Sequence, residues 1–266
     1  MSAKIHGLLA YVGALGAALA LTATAQAQPT QAAKPVCAVS TSGLDSVLEH
    51  TRERLTHRKS LTIVAIGSSS TWGAGAKSAA ASYPARLEVY LKEKFPGVAI
   101  KVLNRGVNGE EEADMMARFD KDVIAEKPDL VLWQVGANAV MRDRAIGAEA
   151  TLIRDGVERL KAIGADLVLV DVQYTPAVIA KPTVGPMIEL IAAEAREHEI
   201  GVFKRFDLMK DWHENRRLSF DTFSVKDGLH MNDWGYDCFA RNLAVAIVDA
   251  SAPAAVMASA KTASAH

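Results

Sequence analysis

Apolar residues run without alternation through Leu61-Thr-Ile-Val-Ala-Ile66, stop at Gly67, and give way to a block of hydroxyls, Ser68-Ser-Ser-Thr71. A continuous aliphatic run of this kind suits a parallel strand buried on both faces, whereas a sheet with one wet face calls for alternation. Residues 98–103, 130–135 and 167–172 repeat the theme, and a shorter run lies near 202–206. Helical spacing fills the intervals. Leu87, Tyr90, Leu91 and Phe95 form one stripe of a helix opened by Pro84. Ile153, Val157 and Leu160 do the same for a helix over 147–163 that Gly164 stops.

The remaining segments are read in the same way. Leu44, Val47, Leu48 and Leu55 share a helical face, with Ser42 placed to cap it. A helix over 110–126 begins with Glu110 to Glu112, which suit the positive end of the helix dipole. Pro176, Pro182 and Pro186 predict a loop, followed by a helix over 187–199; a polar stretch over 211–226 reads as irregular. The last helix is capped by Asn232 or Asp233 and carries Tyr236, Phe239, Ala240, Leu243 and Ile247 on one stripe. Strands alternating with helices predict a single α/β domain over 41–250, with a parallel sheet covered on both faces.

Composition narrows the class. Half of the 266 residues are hydrophobic, ample for one core. A net charge of -1 leaves no electrostatic footprint for nucleic acid or an anionic membrane. The first 27 residues read as a signal peptide: Lys4 and His6, an apolar run over 7–21, then Ala25-Gln-Ala27, after which cleavage is expected. That run is shorter than the ~20 residues a membrane span needs. The mature protein is therefore expected to be periplasmic or secreted, without stable membrane insertion. Residues 28–40 read as a flexible leader and 251–266 as a disordered tail. Cys37 and Cys238 either form a bond that closes nearly the whole domain or are two unrelated thiols; sequence leaves both open.

Candidate chemistry lies where the strands end. A phosphate-binding loop needs Gly immediately before Lys-Ser, and Ala76 precedes Lys77-Ser78. Gly73-Ala-Gly75 lacks the third glycine of a dinucleotide fingerprint. His57, His198 and His213 are scattered among charged residues rather than set at metal-ligand spacing, so neither cofactor nor metal is expected. His230 differs, because Asp227 precedes it by three residues in a Gly-containing loop. Such spacing places a carboxylate on one ring nitrogen and leaves the other to face a nucleophile. Ser69 ends the first strand, Gly109 follows the second, Asn138 follows the third, and Asp227-x-x-His230 precedes the last helix. In a parallel sheet all of these fall on one edge, and together they are the parts that acyl-bond hydrolysis requires.

Those blocks, Gly67-Ser-Ser69, Asn104-Arg-Gly-Val-Asn-Gly109, Gly136-Ala-Asn138 and Asp227-Gly-Leu-His230, resemble the SGNH (GDSL-like) hydrolases over about residues 60–248. The resemblance implies a flavodoxin-like three-layer sandwich with strand order 2-1-3-4-5. It also implies that Ser69 is the nucleophile, His230 the base and Asp227 its orienting acid. The Ser69 and Gly109 amides and the Asn138 side chain would form the oxyanion hole. Ser68 stands where the family usually has Asp, and Ala139 where an Asp often follows the block-three Asn. An α/β-hydrolase elbow is discounted because Thr71 stands where its second Gly belongs. The expectation is an exported serine esterase acting on short acyl esters, including O-acetyl glycans. Its alternatives are a non-catalytic glycan- or partner-binding protein on the same fold, or an acyltransferase. Aromatics are only 6% of the chain, and the loops over 174–186 and 211–226 are polar, which favours acetyl over long acyl groups.

Overall fold

The computed structural model describes residues 35–39 and 43–252. The signal peptide expected over 1–27, most of the leader over 28–40, Ser42 and nearly all of the tail over 251–266 lie outside the described residues. Along the chain the elements are α1 (Glu49–Thr56), β1 (Leu61–Gly67), α2 (Ser69–Trp72), α3 (Tyr83–Lys94), β2 (Ile100–Gly106), α4 (Glu112–Ala117) and α5 (Phe119–Asp122). There follow β3 (Leu130–Gln134), α6 (Ala137–Met141), α7 (Ile146–Lys161), β4 (Asp166–Val170), α8 (Pro176–Ile179) and α9 (Val184–Glu197). The chain continues with β5 (Gly201–Phe203), α10 (Arg205–Glu214), α11 (Phe220–Phe223) and α12 (Asp233–Ala250). The five strands form one parallel sheet in the order β2-β1-β3-β4-β5, as the sequence resemblance implies.

Why β1 has no hydrophobic period is plain from its two faces. Ile63 and Ala65 pack with α3 and α12, where Leu87, Leu91, Tyr236, Phe239, Leu243 and Ile247 are buried. Val64 and Ile66 pack on the other side, with Phe119, Trp133, Ile153, Val157 and Leu160. Each such fully buried aliphatic side chain is worth about 1.5–3 kcal/mol relative to exposure. Both faces are dry, so both must be apolar.

Several boundaries differ from the sequence reading, for identifiable reasons. The helix expected over 110–126 is broken into α4, α5 and a 3₁₀ turn at Ile124–Glu126. Arg118 sits at the break and reaches inward to Glu110 Oε2, Asp122 Oδ2 and the carbonyl of Arg105. The stretch expected to be irregular over 211–226 contains the end of α10 and all of α11, and α10 buries Leu208, Met209 and Trp212 at helical spacing. Pro176 opens α8, and Pro186 lies in the first turn of α9, where a missing N–H leaves no bond unmade. The first helix begins later than its pattern suggested. Leu44 and Leu48 are buried ahead of it, while Val47 is exposed. Its free N–H groups at His50 and Thr51 donate to the Asp166 carboxylate at 3.3 and 2.7 Å, a cap supplied from β4.

Cys37 and Cys238 form a disulfide across a sequence separation of 201 residues. It ties the segment before α1 to the first turns of α12, whose N-terminus is capped by Asn232, its side chain accepting from the Gly235 N–H. Among the described residues no helix is long and apolar enough to cross a membrane.

Candidate active site

Space at the end of β1 dictates its sequence. A Cβ on Gly67 would stand 2.2 Å from Thr71 Oγ1 and within 3 Å of Gln134, so only glycine lets the chain turn there. A Cβ on Gly106 would stand 2.0 Å from the Trp72 nitrogen, so glycine at the end of β2 lets α2 lie directly on the sheet edge. Gln134, fully buried at the end of β3, then fastens the turn. Its Oε1 accepts from the Ser68 N–H at 2.9 Å, from Ser68 Oγ at 3.0 Å and from Thr71 Oγ1 at 3.4 Å. A backbone N–H can only donate, which settles which amide atom of Gln134 faces it. The serine standing in the family's Asp position is thus bonded sideways to the neighbouring strand. Ala139, the other departure, is buried and carries no polar group to satisfy.

Ser69 is the first residue of α2 and half-buried, and its N–H, like every first-turn amide, has no intrahelical acceptor. Its Oγ lies 2.8 Å from His230 Nε2. His230 Nδ1 lies 2.7 Å from Asp227 Oδ2, and Asp227 Oδ1 accepts from the Leu229 and His230 N–H groups at 2.8 and 2.9 Å. Partial burial of the Asp227 carboxyl pushes its pKa up, but the hydrogen bonds from His230 and Leu229 together outweigh this and hold it below the ordinary carboxylate range. An ionised Asp227 accepts only, so Nδ1 carries the proton and Nε2 turns its lone pair to the serine hydroxyl.

The loop bearing Asp227 and His230 is held from several sides. Gln173 Nε2 donates to the Leu229 carbonyl at 3.2 Å, and the Ala177 N–H donates to the Gly228 carbonyl at 2.9 Å. Within the loop the Val225 N–H donates to the His230 carbonyl at 2.9 Å. The first two bonds arise from residues after β4, a stretch whose sequence predicts a loop with Pro176, Pro182 and Pro186.

Gly109 and Asn138 lie after β2 and β3, the two strands that flank β1, and so share its edge. One linkage joins the two segments. Asn138 Nδ2 donates to the Glu110 carbonyl at 2.7 Å, leaving its second amide proton for another acceptor. Arg142 Nη2 donates to the Gly109 carbonyl at 2.9 Å and Nη1 bonds Glu111. Arg144 completes that cluster on Glu111 at 2.9 Å.

His230 therefore contacts both Ser69 and Asp227, and Asn138 is tied to Glu110, the residue after Gly109. Sequence reading missed Gln134 and Arg142. A glutamine inside the otherwise apolar run Leu130-Val-Leu-Trp-Gln-Val135 was the signal for the first of them. Among the described residues no group of His, Cys, Asp and Glu is arranged to hold a metal. Trp72, one helical turn after Ser69, is 53% exposed, the barest aromatic side chain on the described surface.

Comparison with known proteins points one way. An acetylxylan esterase of Geobacillus stearothermophilus is 40% identical over 60 residues, which are 23% of this chain and 27% of that enzyme. The chain thus matches only about a quarter of that relative's length. A two-domain esterase active on acetylated mannans superposes with a TM-score of 0.67 at 17% identity, over 79% of this chain and 56% of that one. The acetylxylan esterase structure from Geobacillus stearothermophilus superposes with a TM-score of 0.60 at 21% identity, over 70% of this chain and 94% of that one. These likenesses carry the fold. The model of the Non-GDSL lipase-like family matches residues 36–253, and the chain belongs to that family, of the SGNH-like kind.

Proposed function

We propose that this protein is an exported serine esterase that removes short acyl groups, acetyl above all, from saccharide hydroxyls. The unbroken relay Ser69–His230–Asp227 carries the reading. In it, His230 Nε2 takes the Ser69 Oγ proton as Oγ bonds to the ester carbonyl carbon. The carbonyl oxygen becomes an oxyanion facing the Ser69 and Gly109 N–H groups and the Asn138 amide. As the tetrahedral adduct collapses, the C–O bond to the sugar breaks and the proton on His230 passes to the departing alcohol oxygen. Water then repeats the sequence on the acyl-Ser69 ester, releasing the free acid and restoring the serine.

Variants of the Geobacillus acetylxylan esterase described as catalytic replace a serine, an aspartate and a histidine three residues after that aspartate, the spacing of Asp227 and His230 here. Relatives acting on acetylated xylan and mannan support the saccharide class. An exposed Trp72 beside the nucleophile supports it too, since a flat aromatic face suits a sugar ring. Export is supported by the signal-like residues 1–27 and by the Cys37–Cys238 bond, of a kind that persists in oxidising compartments.

The test uses purified protein on acyl esters of two to twelve carbons and on acetylated xylo- and manno-oligosaccharides. Acetate release is expected to lead, and Ser69→Ala and His230→Ala are each expected to abolish most of it, because the relay acts as a unit. Trp72→Ala is expected to raise KM for the oligosaccharide several-fold and leave a small activated acetate unaffected. Full turnover in Ser69→Ala, or efficiency climbing steadily to twelve carbons, overturns the proposal.

A further inference from the structure

Two carboxyl groups outside the relay are buried together behind the oxyanion donors. Glu112, the first residue of α4, is 1% exposed and Glu149, in the first turn of α7, is 3% exposed. Glu112 Oε1 accepts from the Gly136 N–H at 2.5 Å, two residues before Asn138. Oε2 of Glu112 and Oε2 of Glu149 are both buried with no hydrogen-bond donor, on helices α4 and α7, which pack against each other. Two carboxylates can only accept. In a dry site a pair of unpartnered acceptor oxygens, each one-half of an ionised group, repel and are costly to desolvate. A single proton on Glu149 removes both faults by making one group the donor to the other.

We propose that Glu149 carries a proton that it donates to Glu112, and that this pair positions the oxyanion donors by holding the 109–112 segment against the 136–138 turn. The proposal rests on the reading of Gly109 and Asn138 as those donors. Its geometry is a closed clamp: Glu112 bonds the Gly136 N–H, and Asn138 bonds the Glu110 carbonyl, so the same two stretches of chain are joined twice. Glu112 and Glu149 are positioning residues and touch no substrate.

The charges around the pair set the pH at which the clamp loosens. Burial pushes the Glu149 carboxyl up to about 7, with Glu112 and Glu111 adding to the rise and Arg144 opposing it. Arg144 is hydrogen-bonded to Glu111, and Arg154 to Glu194 on α9, so each guanidinium already has its own carboxylate partner. Above that pH Glu149 loses its proton to water and becomes a second charge beside Glu112, and that repulsion loosens the clamp.

The experiment follows Glu side-chain carboxyl carbons and the Gly136 amide by NMR across pH 5–9, with kcat and KM on a small acetate ester in parallel. One glutamate is expected to titrate near neutral pH, and the Gly136 N–H resonance to move with the same midpoint. Glu149→Gln keeps a donor toward Glu112 that cannot titrate. It is expected to abolish that transition, keep most of kcat near neutral pH and extend the alkaline limb by about one pH unit or more. Glu149→Leu, which offers no donor, is expected to lower kcat at every pH with little change in KM. If Glu149→Leu does not fold, the Gln variant and the titration decide alone. An all-acidic glutamate titration, or a Gly136 N–H insensitive to it, overturns the donated proton. An alkaline limb unchanged in Glu149→Gln overturns its positioning role. Absence of esterase activity in the unaltered protein would instead defeat the proposed function, and the NMR titration would still judge the pair.

Discussion

Gln134→Met isolates the bond that sets the turn before Ser69. Methionine nearly matches glutamine in volume, so the substitution opens no large cavity while it removes the side-chain amide and with it the Oε1 acceptor. Gln134 Oε1 receives the Ser68 N–H and Ser68 Oγ, both in a residue 1% exposed, so no water can replace it. Thr71 Oγ1 loses a longer contact but keeps the Tyr83 hydroxyl at 3.2 Å. A buried donor left without acceptor costs about 1–3 kcal/mol, so the two Ser68 donors together cost about 2–4 kcal/mol once the hydroxyl has rotated to its best alternative. In a domain of this size each kcal/mol lowers Tm by about 2–4 °C, which gives a fall of roughly 5–15 °C. Ser69 follows Ser68 directly, so a displacement of ~1 Å is expected to lower kcat by as much as about 100-fold with little change in KM. Thermal melting by circular dichroism and turnover of a small acetate ester read the two effects. Gln134→Glu retains an acceptor oxygen in either protonation state and is expected to recover most of both. A Gln134→Met protein with Tm within about 2 °C of the parent and unaltered kcat would refute the reasoning.

Further expectations rest on other parts of the site and frame. Asn138→Ala is expected to lower kcat by about 10²–10³-fold, measured as steady-state turnover, with a smaller change in KM. Asp227→Asn removes the acceptor that orients His230 and is expected to cost about 10²–10⁴-fold in kcat. The Asp227 pKa is depressed in the fold, so its stabilising contribution is full above the ordinary carboxylate value and lost as pH falls through the folded one. Melting curves between pH 2 and 5 are therefore expected to show a shallower acid loss in Asp227→Asn than in the parent. Reducing the Cys37–Cys238 bond, which spans 201 residues of sequence, is expected to cost up to about 5 kcal/mol on the chain-entropy model, read as a lower Tm in reductant.

The order of elements was legible in residue pattern because local physics dictates it. A strand buried on both faces needs an unbroken apolar run, as in Ile63-Val-Ala-Ile66, and a helix against a sheet needs a stripe, as in Tyr236, Phe239, Leu243 and Ile247. Ser69 and Asn138 were legible for a related reason: a parallel sheet puts every strand's carboxyl end on one edge, so topology brings such residues together, whereas Asp227-x-x-His230 was legible by its spacing. What no local pattern encodes is a bond between distant residues. Gln134 fastening Ser68 across 66 positions, Asp166 capping α1 across 115, and the pairing of Cys37 with Cys238 exist only once the chain has folded. Arg118 breaking a periodic helix, and α10 forming in a stretch rich in charge, show tertiary contacts overriding propensity in the same way. The burial of Glu112 and Glu149 belongs there too, since α4 and α7 pack against each other only in the folded chain.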